Sequence, residues 1–356
     1  MTGLFTHRQQ AISGLNSTGT LKGVLTTMKR VVRSRDSLKY TLDPRQSPVL
    51  EVEQGESFVV ETEDAPSGTY RTPEDAAHLL DAWYLNYSPA KANPVTGPVH
   101  IRGAEPGDTL VIEIEKLELD DQSATYWRPG EKPLGDSAHW KELSTPTLAI
   151  GRHEQGEVIL DEAVTWEDGR VWRYPLGLRF PQMPFIGTLA VAPEREVVTP
   201  GLGQGSWGGN MDVRDICPGT RILIPCYHQG ALLYVGDVHA CQGDTEFYGT
   251  AMETRCAVTL RCGLIKGKSK PFVRLEKEES LISLACAKPL EEAVWRAGIQ
   301  LMKWLMEDYG CSERMAYMLL GVNPDFRVNV YQMALIASLQ YTAGAEILKK
   351  SIPGYH

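Results

Sequence analysis

The chain has 356 residues, of which 42% are hydrophobic and 23% charged, and it carries a formal net charge of -9. That composition excludes a fibre and a disordered chain, and the length suits one large globular domain or two intertwined ones. The acidic balance argues against a nucleic-acid footprint, which needs a basic surface, and no apolar run approaches the ~20 residues of a membrane span. A small uncharged or cationic ligand fits better.

Residues 1–35 are polar and basic, with Lys22, Lys29, Arg30, Arg33 and Arg35 but no apolar core of a secretory signal, and are expected to form an N-terminal arm. A β-rich domain follows over 36–356, divisible into two intertwined subdomains at about 36–195 and 196–356. Alternation around Tyr40 and Leu42, over 49–52 and over 58–62 predicts short strands, with Gly55 turning between the last two. Residues 99–102 and 109–114 make a further pair across Glu105-Pro106-Gly107-Asp108, a type II turn signal. The stretch 120–180 is rich in Trp, Gly and Pro with weak periodicity, and predicts a long excursion with short strands. Strands resume at 189–192, 221–225, 231–235 and 256–261, and Lys266, Lys268 and Lys270 read as a solvated loop. Helix appears only late. Residues 291–307 put Val294, Ala297, Leu301, Met302 and Leu305 on one stripe, and Ser312-Glu313 caps a second helix running to Leu320. The fold class expected is therefore α+β and β-rich, with sandwich- or barrel-like sheets and helices concentrated near the C-terminus. The seven cysteines form no CxxC pair and read as reduced, mostly buried thiols of a cytoplasmic protein.

Chemistry concentrates in Gly236-Asp237-Val238-His239-Ala240-Cys241-Gln242-Gly243-Asp244-Thr245-Glu246. Strand alternation puts Asp237 and His239 on one face, and Asp244 and Glu246 likewise share a face. A tight turn at Gln242-Gly243 would set His239 opposite Glu246, with Asp237 diagonal to it. Two carboxylates around an imidazole suit either a divalent metal or a general acid/base pair, while a solvated polar turn is the bland alternative. Upstream, Gly208-Gly209-Asn210-Met211-Asp212 ends a glycine-rich loop that lets backbone approach a ligand. Asp212 is a candidate ligand there, and Asn210 a candidate hydrogen-bond donor. Asp64 stands where a strand meets a loop, a place for function or for an ordinary turn.

These blocks recur in a fixed order with Asn93-Pro94-Val95-Thr96-Gly97-Pro98, Gly103-Ala104-Glu105-Pro106-Gly107-Asp108-Thr109-Leu110, Gly230-Ala231-Leu232 and Gly249-Thr250-Ala251-Met252-Glu253. Over about residues 45–340 this arrangement resembles the acetamidase/formamidase family. The resemblance implies a metal-dependent hydrolase cleaving the C–N bond of a short linear carboxamide, formamide- or acetamide-like, to a carboxylate and ammonia. It also implies a homodimer or higher homo-oligomer that acts on a small-molecule amide, with no nucleic-acid or membrane partner. Carried over residue by residue, Asp64, Asp212, Asp237 and His239 are the metal candidates, Glu246 and Asp244 the catalytic carboxylates, and Asn210 and Gly209 the substrate contacts. An unstrained amide is a poor electrophile, so its carbonyl must be polarised, hydroxide supplied and the leaving nitrogen protonated. Metal-activated water meets the first two needs and a carboxylate shuttle, assigned to Glu246, the third. The donor set of Asp, Glu and one His admits zinc, the first expectation, or a harder cation, with calcium or a mixed pair as the alternatives. Relatives often have His where Asn93 stands, a departure that bears on ligand count and pocket size.

Two rivals remain in view. One is a cysteine-nucleophile amidase using Cys226 or Cys241 with His228 or His239 as base, although a strand cysteine is more commonly inert. The other is a non-catalytic metal- or ligand-binding sandwich of the same ancestry.

Overall fold

The structure, a computed structural model, describes residues 28–128 and 140–355. The expected N-terminal arm lies outside the described residues up to residue 27, and its end, Lys29–Val31, forms a strand parallel to Ser57–Thr62.

Two large sheets dominate the described residues. The first runs in the order Lys29–Val31, Ser57–Thr62, Cys256–Ile265, Thr109–Leu119, Arg221–Pro225, Arg274–Glu276, Ser280–Ala287, Tyr341–Leu348 and Arg327–Gln332. The second runs Arg170–Pro181, Glu157–Glu167, Thr147–Glu154, Gln122–Trp127, Glu253–Thr254, Leu233–His239, Phe185–Val191, Gly208–Asn210 and Gln204–Gly205. Val95–Ile101 also pairs with Leu233–His239 and carries Leu38–Lys39 and Leu50–Val52. Both sheets interleave strands from either half of the chain. Their inner faces meet in one core, where Val60, Ile112 and Leu260 pack with Leu189, Leu233 and Val235. Such sheet-on-sheet burial explains why Leu233–His239 and Phe185–Val191 are buried along their whole length.

The late helices form as their pattern requires. Helix α1, Leu290–Tyr309, ends at Gly310 in the left-handed conformation (φ 68°). It lays Ala297, Leu301, Trp304 and Leu305 on Leu281, Ala285, Ala345 and Ile347 of the first sheet. Helix α2, Glu313–Val322, begins where the Ser312 side chain accepts the Met315 N–H at 3.2 Å. No helix among the described residues is long and apolar enough to cross a membrane.

Two expectations need correction. Residues 120–180 contain an antiparallel meander whose strands lengthen from Gln122–Trp127 (6 residues) to Arg170–Pro181 (12 residues). The last of these is an exposed edge with Pro175 and Gly177 at a register shift, so no buried alternation marks it. The lysine run is not simply solvated. Lys270 is buried against Glu307 and Asp308, and Lys266 bonds Asp108 at 2.7 Å.

Candidate active site

Leu233–His239 is flanked by Phe185–Val191 on one side and by Val95–Ile101 and Glu253–Thr254 on the other. Glu253, not Glu246, is therefore the residue paired with His239. The tight Gln242-Gly243 hairpin does not form, because Ala240 N–H donates to Met252 O and Met252 N–H to Cys241 O, closing a longer loop over 242–251. Glu246 reaches inward from that loop.

Alternation holds for Asp237 and His239, whose Oδ1 and Nε2 lie 3.4 Å apart, but through distorted backbone. Asp237 adopts φ 58°, Asp212 φ 50° and Glu246 φ 45°, left-handed values rare for residues with a Cβ. Each such residue costs on the order of 1–3 kcal/mol and persists only where its surroundings determine it. Gly187 supplies the space. A Cβ there would lie 2.8 Å from both Asp212 Oδ1 and Asp237 Oδ2, so glycine lets the two carboxylates converge.

The result is a buried cluster. Asp212, His239 and Glu246 can offer ligand atoms within 4.8 Å of one another, as can Asp237, His239 and Glu253. His239 Nε2 stands 3.2 Å from Glu253 Oε2 and 3.4 Å from Asp237 Oδ1. Thr188 Oγ1 donates to Asp237 Oδ2 at 3.1 Å or to Asn210 Oδ1 at 2.8 Å, and Asn210 Nδ2 donates to Gly201 O. Asp212 Oδ1 and Glu253 Oε2 are buried and make no well-aligned hydrogen bond, although the His239 ring lies 3.2 Å from Glu253 Oε2. Leaving such groups unpaired is costly, so these atoms fit a bound cation.

The electrostatics agree. Burial, then the charge of Asp237, pushes Asp212 up to about 8. Burial, then Asp212, holds the Glu246 carboxyl well above its ordinary range, and burial raises Glu253. Burial alone would lower His239, but Glu253 and Asp237 outweigh it and hold the imidazole well above its usual value. In all three carboxyls the neighbouring charge that favours ionisation is that same imidazole. The cluster thus retains protons unless another cation replaces them.

The cluster opens into a cavity of about 240 Å³ lined by Asp212, Asp237, Glu246 and Glu253 and walled by apolar groups including Leu202 and Ile336. That is below the roughly 300–1,000 Å³ of drug-sized ligand pockets. Asn93 and Asn210 line it as well. Gly209 lies behind it, pairing with Leu189 and Gln204. Two sequence candidates stand outside the cluster. Asp244 is exposed and paired with Arg214 at 2.6 Å. Asp64 is buried, accepts the Gly68 N–H and faces Arg71 at 3.8 Å.

Glu253 and Gln242 belong to motifs for which sequence reasoning gives no chemical role. The signal for Glu253 is a carboxylate directly after Ala251-Met252 and just before the strand-like run 256–261, whereas Gly187 carries no signal in its plain strand.

The cysteine alternative loses support. Burial pushes the Cys226 thiol up to about 12 and Cys241 up to about 11, while His228 Nε2 donates to Pro193 O at 2.7 Å. Cys241 instead faces a second, largely apolar cavity of about 650 Å³ with Phe180, Met183 and Phe247.

The model of the acetamidase/formamidase family matches residues 27–200 and 203–331. The chain belongs to the acetamidase/formamidase family. It is 39% identical over 272 residues to the acetamidase of Mycolicibacterium smegmatis, covering 62% of this chain and 64% of that protein. The acetamidase structure from Bacillus halodurans is 28% identical, with a TM-score of 0.74 over 88% of this chain and 96% of that one. An acetamidase/formamidase structure from Thermoanaerobacter tengcongensis is 26% identical, with a TM-score of 0.76 over 92% and 98%. The chain spans less than two thirds of the length of the curated relatives it matches, 62% for the formamidase of Methylophilus methylotrophus. The family resemblance read from the sequence is borne out.

Proposed function

We propose that this protein hydrolyses a short linear carboxamide to a carboxylate and ammonia. The observation that carries the reading is the convergence of Asp212, Asp237, His239, Glu246 and Glu253, all buried, on a cavity of about 240 Å³. Relatives named acetamidase and formamidase support the substrate class.

Asp237, His239 and Glu253, with Asp212, would hold a divalent ion, zinc being the best match to mixed carboxylate and imidazole donors. Bound there, it would polarise the amide carbonyl and acidify water. The chain supplies the rest. Glu246, lying against Asp212 in a dry site, takes the proton of the attacking water and returns it to the leaving nitrogen. Asn210 has one amide N–H committed to Gly201 O, and its second can hold the substrate carbonyl. Leu85, Leu202, Ile336 and Leu339 give the cavity an apolar wall, and its volume of about 240 Å³ suits a short acyl group.

The test is ammonia release from formamide, acetamide and longer amides, before and after dialysis against a chelator, with elemental analysis of each sample. The reading predicts activity on the short amides that falls with the metal content. Absence of both metal and amidase activity would refute it.

A further inference from the structure

We propose that Gln242 is a positioning residue that decides which nitrogen of His239 is left free toward Glu253 and Asp237. The inference rests on the metal reading above. Gln242 Oε1 lies 2.9 Å from His239 Nδ1, and its Nε2 lies 3.3 Å from both Asp212 O and Tyr331 O. Carbonyl oxygens only accept, so those two contacts fix the amide with its nitrogen toward them and its oxygen toward the imidazole. An amide oxygen also only accepts. His239 must therefore carry a hydrogen on Nδ1, and Nε2 is the atom turned toward Glu253 and Asp237.

That choice matters because an imidazole binds a metal only through a nitrogen free of hydrogen, and its other N–H needs an acceptor to hold ring and tautomer. The same amide also clamps the carbonyl of Asp212, whose backbone sits at φ 50°. One side chain thus ties the end of the Leu233–His239 strand to Asp212 and to the Arg327–Gln332 strand. Gln242 touches neither the reacting amide nor the ion, and it acts through His239 and Asp212.

The experiment is calorimetric titration of chelator-treated protein with Zn²⁺ for the wild type, Gln242→Ala and Gln242→Glu, with thermal unfolding of each. The expected result is Zn²⁺ binding weakened about 10–100-fold in Q242A and less in Q242E, which retains the acceptor for Nδ1–H but loses the N–H donated to Asp212 O and Tyr331 O. A purely structural role would lower the unfolding temperature of both variants and leave Zn²⁺ affinity alone. Wild-type binding matched by Q242A overturns the Gln242 role while leaving the metal reading intact. A wild type that takes up no Zn²⁺ overturns the metal reading and this inference with it. Should Q242A fail to fold, ¹⁵N-histidine spectra of Zn²⁺-loaded wild type decide. A hydrogen on His239 Nδ1 supports the proposal, and one on Nε2 overturns it.

Discussion

Two buried groups of carboxylates in this protein are treated in opposite ways. Glu63 and Asp64 sit among Arg33, Arg71 and Arg255, so the chain supplies its own counter-charge. At the cavity floor Asp212, Asp237, Glu246 and Glu253 share one imidazole, and two of their buried oxygens make no well-aligned hydrogen bond. Residual stability cannot come from leaving such charges uncompensated. The first group has three arginines beside it, although burial still raises Asp64, whereas the second has one imidazole and is completed by protons or by a cation from outside.

The largest effect that would sharpen this contrast is at His239. His239→Ala should weaken divalent-ion binding by more than about 100-fold, beyond the 10–100-fold that loss of an outer hydrogen bond costs, and abolish ammonia release. Calorimetry with Zn²⁺ checks this, and unchanged affinity would remove His239 from the ligand set. Next comes Gly187→Ala, whose new Cβ would press on both Asp212 and Asp237. Overpacking there should cost about 1–3 kcal/mol in denaturant unfolding and lower ion affinity as well.

The pH dependence follows from the shifts at the floor. Asp212 is raised from 3.8 to about 8, and Glu246, Glu253 and His239 are raised too. A raised folded-state value contributes stability that is fully present below the unfolded value and lost as pH rises through the folded one. Metal-free protein should therefore become less stable from about pH 4 through pH 8, and added Zn²⁺ should restore stability most at the alkaline end. Melting curves at several pH values, with and without the ion, decide. A metal-free protein whose stability climbs over that range would contradict the proton-holding cluster.

The smallest effect is expected at the other group. Asp64 is raised to about 7, by burial first and then by Glu63, and its contribution is lost as pH rises through that value. Asp64→Asn mimics the protonated carboxyl, so it should leave Zn²⁺ affinity unchanged and make the protein relatively more stable above pH 7. Loss of ion binding in D64N would place Asp64 back among the ligands.

Much of this was legible in the sequence because local pattern and final structure agree. The α1 stripe, the Ser312 cap and the Pro106-Gly107 turn, where Gly107 takes φ 93°, are local features that packing did not override. Asp237 and His239 share a face as alternation requires, and Asp212 joins them from its glycine-rich loop. The hairpin register was not legible. Thr245 and Glu246 take φ 76° and 45°, so the residues that looked like a returning strand form a turn, and the partner strand begins only at Glu253. Gly187 and Thr188 contribute through a register across Phe185–Val191 that no local pattern displays. Local rules fail here at the site itself, where strain is tolerated for function.

On the proposed function, the acidic floor would hold an ion while Glu246 moves the proton. The most direct test is Glu246→Gln, which keeps the shape and removes the exchangeable proton. Ion content by elemental analysis and ammonia release from acetamide are measured on the same sample. Wild-type ion content with turnover reduced by about 10²–10⁴-fold is expected. Turnover close to wild type with the ion in place, or loss of the ion with activity retained, would contradict the proposed function.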